Sequence, residues 1–268
     1  MSKDGNLIEI QVPTLAELQA NGKQADLLLW VGCAGAYDDQ YKKVSRNLVK
    51  ILASAKVNFA VLGTEESCSG DPARRAGNEF LFQMQAMQNI KIINDYGIKD
   101  IITACPHCYN TLKNEYVDFG GYYNVMHHST FIIKLIKDGR IKIRDKEILK
   151  TKSITYHDAC YLGRGNGIYD DPRAIINNIS NGVREMKRNK SRSFCCGAGG
   201  AQMFKVSEPG EREVYEDRSK EALELHPDII ATACPFCMTM LNDGVKHFKK
   251  EEVKVMDLAD LVALAAEL

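Results

Sequence analysis

Two sets of cysteines spaced on one ruler constrain this chain more than any other feature. Cys33, Cys68, Cys105 and Cys108 form the first set, and Cys160, Cys195, Cys196, Cys234 and Cys237 the second. In each set 34 residues separate the first two positions, Cys33 from Cys68 and Cys160 from Cys195. A further 36 lead from Cys68 to Cys105 and 38 from Cys195 to Cys234, and both sets close on a CxxC pair. The second set trails the first by 127 residues at its start and 129 at its end.

The flanks repeat as well. Thr103-Ala104-Cys105-Pro106-His107-Cys108 returns as Thr232-Ala233-Cys234-Pro235-Phe236-Cys237, and Val125-Met126 returns as Val255-Met256. This is an internal duplication, and two units imply a pseudo-symmetric pair of domains rather than a solenoid. The expected division is an N-terminal arm over 1–25, repeat 1 over 26–148 and repeat 2 over 149–268. The arm is polar, and its role as a docking segment or a tail stays open.

Within each repeat, short apolar runs alternate with helical periodicity. Strands are expected near 26–31, 58–62, 100–104 and 123–126, then near 153–158, 183–187, 228–233 and 253–256. Helices are expected over 38–56 and 78–96, and Pro106 opens a short one. The fold class is therefore α/β. Each repeat is a small, mostly parallel sheet flanked by helices, with its cysteine loops at the C-terminal strand edge. That topology gathers four thiols in repeat 1 and five in repeat 2 from segments far apart in sequence.

Composition narrows the chemistry. Lys plus Arg and Asp plus Glu both number 35, so the net charge is zero, and the electrostatic footprint of a nucleic-acid binder is missing. No apolar stretch approaches the ~18 residues of a membrane span, and the first residues lack the apolar centre of a signal peptide, so a cytoplasmic location is expected. In a reducing compartment nine cysteines are not a disulfide framework. Zinc, an iron–sulfur cluster, or direct thiol–disulfide chemistry at CxxC remain. Zinc sites usually pair two short knuckles, whereas each repeat here has one. The adjacent thiols Cys195 and Cys196 diverge, which suits several irons better than one tetrahedral ion. Gly70, Gly197, Gly199 and Gly200 beside the central cysteines let the backbone wrap a bulky inorganic core.

The layout CX₃₄CCGX₃₆CxxC is complete in repeat 2 and one cysteine short in repeat 1. With the runs Gly70-Asp71-Pro72-Ala73-Arg74-Arg75 and Phe194-Cys195-Cys196-Gly197-Ala198-Gly199-Gly200, it resembles the cysteine-rich CCG domain family. The resemblance covers about 25–268 and is nearest to the tandem-CCG subunit of heterodisulfide reductases and to related iron–sulfur oxidoreductases. It implies a cytoplasmic electron-transferring subunit with two [4Fe–4S] clusters held by the nine cysteines. The noncubane type is implied for the five-cysteine site and the cubane type for Cys33, Cys68, Cys105 and Cys108, because Ser69 stands where the second cysteine of the pair belongs. Substrate chemistry, if any, falls to Cys195 and Cys196 of repeat 2. The ferredoxin spacing CxxCxxCxxxC is not found in the chain, so the implied partner is a ferredoxin-like iron–sulfur subunit or a flavoprotein. The contrasting expectation is a zinc-stabilised or redox-sensing assembly module.

Other residues are weighed against plainer roles. His157, three residues before Cys160, is a candidate proton donor; a packed ring is the plainer alternative. His107 lies inside CPHC, but Phe236 takes its place in repeat 2, so a packed or solvent-facing ring is expected. A structural role is expected for His127 and His128. Arg74 and Arg75 either neutralise cluster charge or start a helix. Gly163 to Gly167 reads as a turn. The apolar run 80–87 reads as core with an exposed remainder suited to an interface, and 245–254 as a solvated face.

Overall fold

Apolar runs with no polar alternation form strands buried on both faces, and the chain contains two such sets. The computed structural model describes residues 10–145, 147–207 and 209–268. Helix α1 (Leu15–Ala20) leads into β1 (Leu27–Trp30), α2 (Gly32–Tyr37), α3 (Asp39–Ser54) and β2 (Phe59–Ala60). Helices α4 (Asp71–Arg75) and α5 (Glu79–Asp95), strand β3 (Asp100–Thr103), helix α6 (Pro106–Asn110), strand β4 (Asn124–His127) and helix α7 (His128–Lys137) complete repeat 1. After α8 (Glu147–Lys150), repeat 2 runs β5 (Ile154–Tyr156), α9 (Asp170–Ile179), β6 (Val183–Arg184), α10 (Val214–Leu223), β7 (Ile229–Thr232), α11 (Pro235–His247), β8 (Lys254–Asp257) and α12 (Leu258–Ala265).

The sheets have orders β2-β1-β3-β4 and β6-β5-β7-β8, and every pairing is parallel. The register repeats: Ile101 pairs with Val125 as Ile230 pairs with Val255. The α/β class and pseudo-symmetric repeats expected from the sequence are those of the structure. Because all strands are parallel, their C-terminal ends share one edge, and that edge receives the cysteine loops.

The repeats do not sit side by side as separate cores. Helix α7 of repeat 1 packs on α9 of repeat 2, and α12 of repeat 2 packs on α3 of repeat 1. One continuous apolar core results, from Leu28 and Leu48 to Ile230 and Leu261. Both exchanged helices begin at equivalent caps. His127 Nδ1 accepts from the Ser129 N–H at 3.3 Å, and Asp257 Oδ1 from the Ala259 N–H at 2.9 Å. Such caps satisfy donors that a helix leaves free in its first turn.

The described part of the arm belongs to repeat 1. Val61 donates to Pro13 O at 3.1 Å and Leu15 to Val61 O at 2.9 Å, so the segment extends the sheet beyond β2. Residues 1–9 of the expected arm lie outside the described residues.

Candidate metal centre

Each cysteine follows a strand, so each stands at the shared edge. In repeat 1, Cys33 lies in the first turn of α2, directly after β1. That turn is held by Glu66, which accepts from the N–H groups of Val31 at 3.0 Å and Gly32 at 2.5 Å. Burial pushes the Glu66 carboxyl up to about 7 against these two bonds. Cys68 precedes α4. The Gly70 N–H lies 3.4 Å from its sulfur, and Gly70 has φ +92°, with Phe82 2.7 Å from where a Cβ would stand. Only glycine fits there. Cys105 caps α6 and Cys108 lies within it. Cys33 meets Cys68, Cys108 meets Cys105 and Cys68, and the Ser69 hydroxyl lies 3.6 Å from Cys108 Sγ.

Repeat 2 reproduces this arrangement with a fifth thiol. Cys160 follows β5 and meets Cys195, whose sulfur lies 3.3 Å from the Gly197 N–H. Gly197 has φ +92°, the value found at Gly70. Cys196 Sγ is 3.2 Å from Cys237 Sγ, and Cys234 caps α11 beside Cys237. In both groups the outer pair, Cys33 with Cys68 and Cys160 with Cys195, is partly exposed, while the remaining cysteines are buried. All nine sequence-selected cysteines therefore converge in two groups, and none is dispersed in the apolar interior.

Packed thiols cannot all ionise in isolation, and the charge settles on a few. Hydrogen bonds from Cys160 and Cys196 hold Cys195 well below the ordinary thiol range, and Cys33 brings Cys68 to about 7. Burial opposes ionisation of Cys234, yet Cys237 and His107 bring it to about 5. The partners Cys33, Cys160 and Cys196 are pushed up by the thiolate each one faces. Cations bound among them would relieve that repulsion and let the whole set ionise.

Buried ring N–H groups support the fit of an electron-rich, sulfur-containing group. His157 is 1% exposed, and its Nδ1 accepts from Arg218 Nε at 2.9 Å. A guanidinium does not give up its proton, so the ring hydrogen sits on Nε2, which has no partner among the described residues. His157, Cys196 and Cys237 place ligand atoms within 4.8 Å of one another. Trp30, three residues before Cys33 as His157 is before Cys160, also has a buried indole N–H without a partner among the described residues. Burial and the Arg218 charge hold His157 well below the usual imidazole range. Its geometry therefore favours a neutral hydrogen-bond donor over a group that takes up a second proton.

His107 departs most from its sequence reading. It is buried, with Nδ1 2.9 Å from Asp71 Oδ2, and the ring reaches Cys234 of the other repeat. Comparison of the repeats at single positions hid this, because the ring acts across the boundary between them. His128 likewise bridges the repeats, with Nε2 2.8 Å from Asp257 Oδ1, and Tyr41 donates to Oδ2 of the same carboxylate at 3.1 Å. Arg74 and Arg75 end α4 and are engaged by Glu115, Arg75 also by Asp71. The turn at 163–167 follows Cys160 as expected. On α5, Phe82 and Ala86 enter the core while Phe80, Met84 and Met87 stay exposed. Glu66, Asp71 and Arg218 carried no motif signal; only their proximity to repeated cysteines or to an aligned histidine marked them.

Among the described residues, no helix is long and apolar enough to cross a membrane. A family model described as a cysteine-rich domain, CCG, matches the chain twice, over 27–113 and 154–242. The chain is 44% identical over 257 residues to an EtfAB:quinone oxidoreductase of Syntrophomonas wolfei, covering 93% of this chain and 36% of that protein. It is 43% identical to the probable iron-sulfur-binding oxidoreductase FadF of Bacillus subtilis, covering 95% of this chain and 36% of the relative. Against a dihydromethanophenazine:CoB–CoM heterodisulfide reductase subunit of Methanosarcina barkeri the identity is 34%, over 91% of this chain and 60% of that protein. The chain thus spans about a third of the length of the first two relatives. Two matched copies, two matching sheets and two converging cysteine groups make one conclusion plain: the chain belongs to the cysteine-rich CCG domain family as a tandem pair.

Proposed function

We propose that this chain is the iron–sulfur, electron-transferring part of a cytoplasmic oxidoreductase. The observation that carries this reading is the convergence of nine thiols into two groups at the C-terminal edges of two parallel sheets. Cys33, Cys68, Cys105 and Cys108 would hold one [4Fe–4S] cluster, of cubane type. Cys160, Cys195, Cys196, Cys234 and Cys237 would hold the other, of noncubane type, because adjacent thiolates can ligate different irons. When bound, these groups accept and pass on single electrons. The protein supplies thiolates, backbone N–H groups from Gly70 and Gly197, and a cover of apolar side chains that limits water.

The partly exposed outer cysteines of each group give electrons a way in and out without opening the core. Repeat 2 is the better place for substrate chemistry, at Cys195 and Cys196, with His157 donating a hydrogen bond beside them. Disulfide-reductase-like turnover at that site follows the relatives named as heterodisulfide reductase subunits. A ferredoxin-like iron–sulfur subunit or a flavoprotein is the partner this reading requires.

Iron and acid-labile sulfide analysis of protein purified without oxygen tests the reading. About eight of each per chain, with two inequivalent EPR signals, is the expected result. One or two zinc ions and no iron would replace it with the zinc-held assembly module.

A further inference from the structure

Asp71 and His107 belong to repeat 1, yet they address a cysteine of repeat 2. Asp71 is 3% exposed. Arg75 Nε donates to its Oδ1 at 3.1 Å, and its Oδ2 lies 2.9 Å from His107 Nδ1. The imidazole is clamped on both sides. It stacks on Tyr161 with centroids 4.1 Å apart and meets the edge of Phe236 at 5.1 Å. So held, the ring reaches the sulfur of Cys234.

The duplication supplies an internal control. Cys68-Ser69-Gly70-Asp71 corresponds to Cys195-Cys196-Gly197-Ala198, and CPHC corresponds to CPFC. The positions of Asp71 and His107 are therefore filled by Ala198 and Phe236. Both polar members are replaced together, as expected if neither is useful alone: a buried carboxylate without the ring, or the ring without the carboxylate, would be stranded. Cys234 has this neighbour, and Cys105, its counterpart, has Phe236 at the matching place. The two cysteines are also close enough to feel each other's charge across the repeat boundary.

We propose that Asp71 and His107 are a positioning pair through which repeat 1 raises the reduction potential of the repeat 2 centre, by aiming a hydrogen bond at Cys234. A hydrogen bond to a ligating sulfur draws electron density from it and favours the reduced state. The inference rests on the iron–sulfur reading above. It adds a direction: an electron leaves the repeat 1 centre and arrives at the repeat 2 centre, and no covalent bond is made or broken in the pair.

The experiment is an EPR-monitored redox titration of anaerobic, iron-loaded protein. The repeat 2 signal is assigned by its loss in Cys160→Ser. In His107→Phe, which copies the repeat 2 residue, the midpoint of that signal should fall by about tenfold in the reduction equilibrium, about 59 mV for one electron. Asp71→Asn should lower it in the same direction by less, and His107→Gln should recover part of the loss. The repeat 1 midpoint should stay in place. Midpoints of repeat 2 that do not move in iron-loaded His107→Phe and Asp71→Asn overturn the proposal. Equal movement of both signals overturns it too, since that marks general loosening. If His107→Phe fails to load iron, Asp71→Asn, which keeps the ring, decides. Iron-free wild-type protein would instead defeat the reading on which the inference rests.

Discussion

The hydroxyl of Ser69 lies 3.6 Å from Cys108 Sγ and donates to it, making in repeat 1 the contact that Cys196 makes with Cys237 at 3.2 Å in repeat 2. The backbone around the two positions is the same, down to φ +92° at Gly70 and at Gly197. The repeats therefore differ here by one atom, oxygen for sulfur, in an otherwise matched cradle. Ser69→Cys should give repeat 1 a fifth thiolate, and its EPR signal should approach that of repeat 2. Cys196→Ser should do the reverse. The exchange alters volume little, so stability should change by about 1 kcal/mol or less. Spectra of both variants identical to wild type would defeat the idea that this position sets the cluster type.

The two cysteine groups are assembled by different loops, so removing one should spare the other. Cys160→Ser should halve the iron content and leave the far-ultraviolet circular dichroism unchanged, since Cys160 sits in a turn after β5 and is partly exposed. Cys33→Ser should do the same for repeat 1. Complete loss of iron from either single variant would mean that the nine cysteines serve one shared centre.

Much of this arrangement was legible in the sequence because it is written locally. The continuous apolar runs at Leu27–Trp30 and Ile229–Thr232 announce buried parallel strands, and the cysteines mark the strand ends that follow. What was not legible acts across the boundary between the repeats. His107 looked dispensable because Phe236 replaces it, yet its partner Cys234 lies 127 residues away in the chain. Packing exchange was hidden for the same reason. Nothing in α12 states that its apolar face meets α3 of the other repeat. Gly244, an unremarkable helical glycine by pattern, admits the close approach of α10: a Cβ there would stand 1.8 Å from Ser219 Oγ.

Asp257 joins the repeats and should be costly to remove. The carboxylate is fully buried and accepts from His128 Nε2, Tyr41 OH and the Ala259 N–H. Truncation would strand a buried imidazole and a buried phenol and uncap α12. Asp257→Ala should lower unfolding stability by roughly 3–5 kcal/mol. Asp257→Asn, which can still accept one or two of these bonds, should cost less. Urea denaturation measures both. A loss below about 1 kcal/mol for the alanine variant would show that the repeats are joined mainly by their apolar helices.

Asp260 gives the fold a pH dependence whose sign is fixed by its surroundings. Its Oδ1 accepts from Asn47 at 2.8 Å and its Oδ2 from the Asp257 N–H at 3.3 Å. Burial, then the Asp257 charge, outweigh these bonds and push the carboxyl up to about 6. In the unfolded chain an aspartate titrates near 3.9. Between these values the native state holds a proton that the unfolded state has lost, so stability falls as pH rises through the window. The contribution is fully present below about pH 4 and gone above about pH 6, an effect of about 2–3 kcal/mol. Asp260→Asn carries no titrating group, so its stability relative to wild type should rise between pH 4 and pH 6 and then level off. Denaturation midpoints of the two proteins at pH 4, 5, 6 and 7 measure this, and curves that run parallel across the range would remove Asp260 from the account.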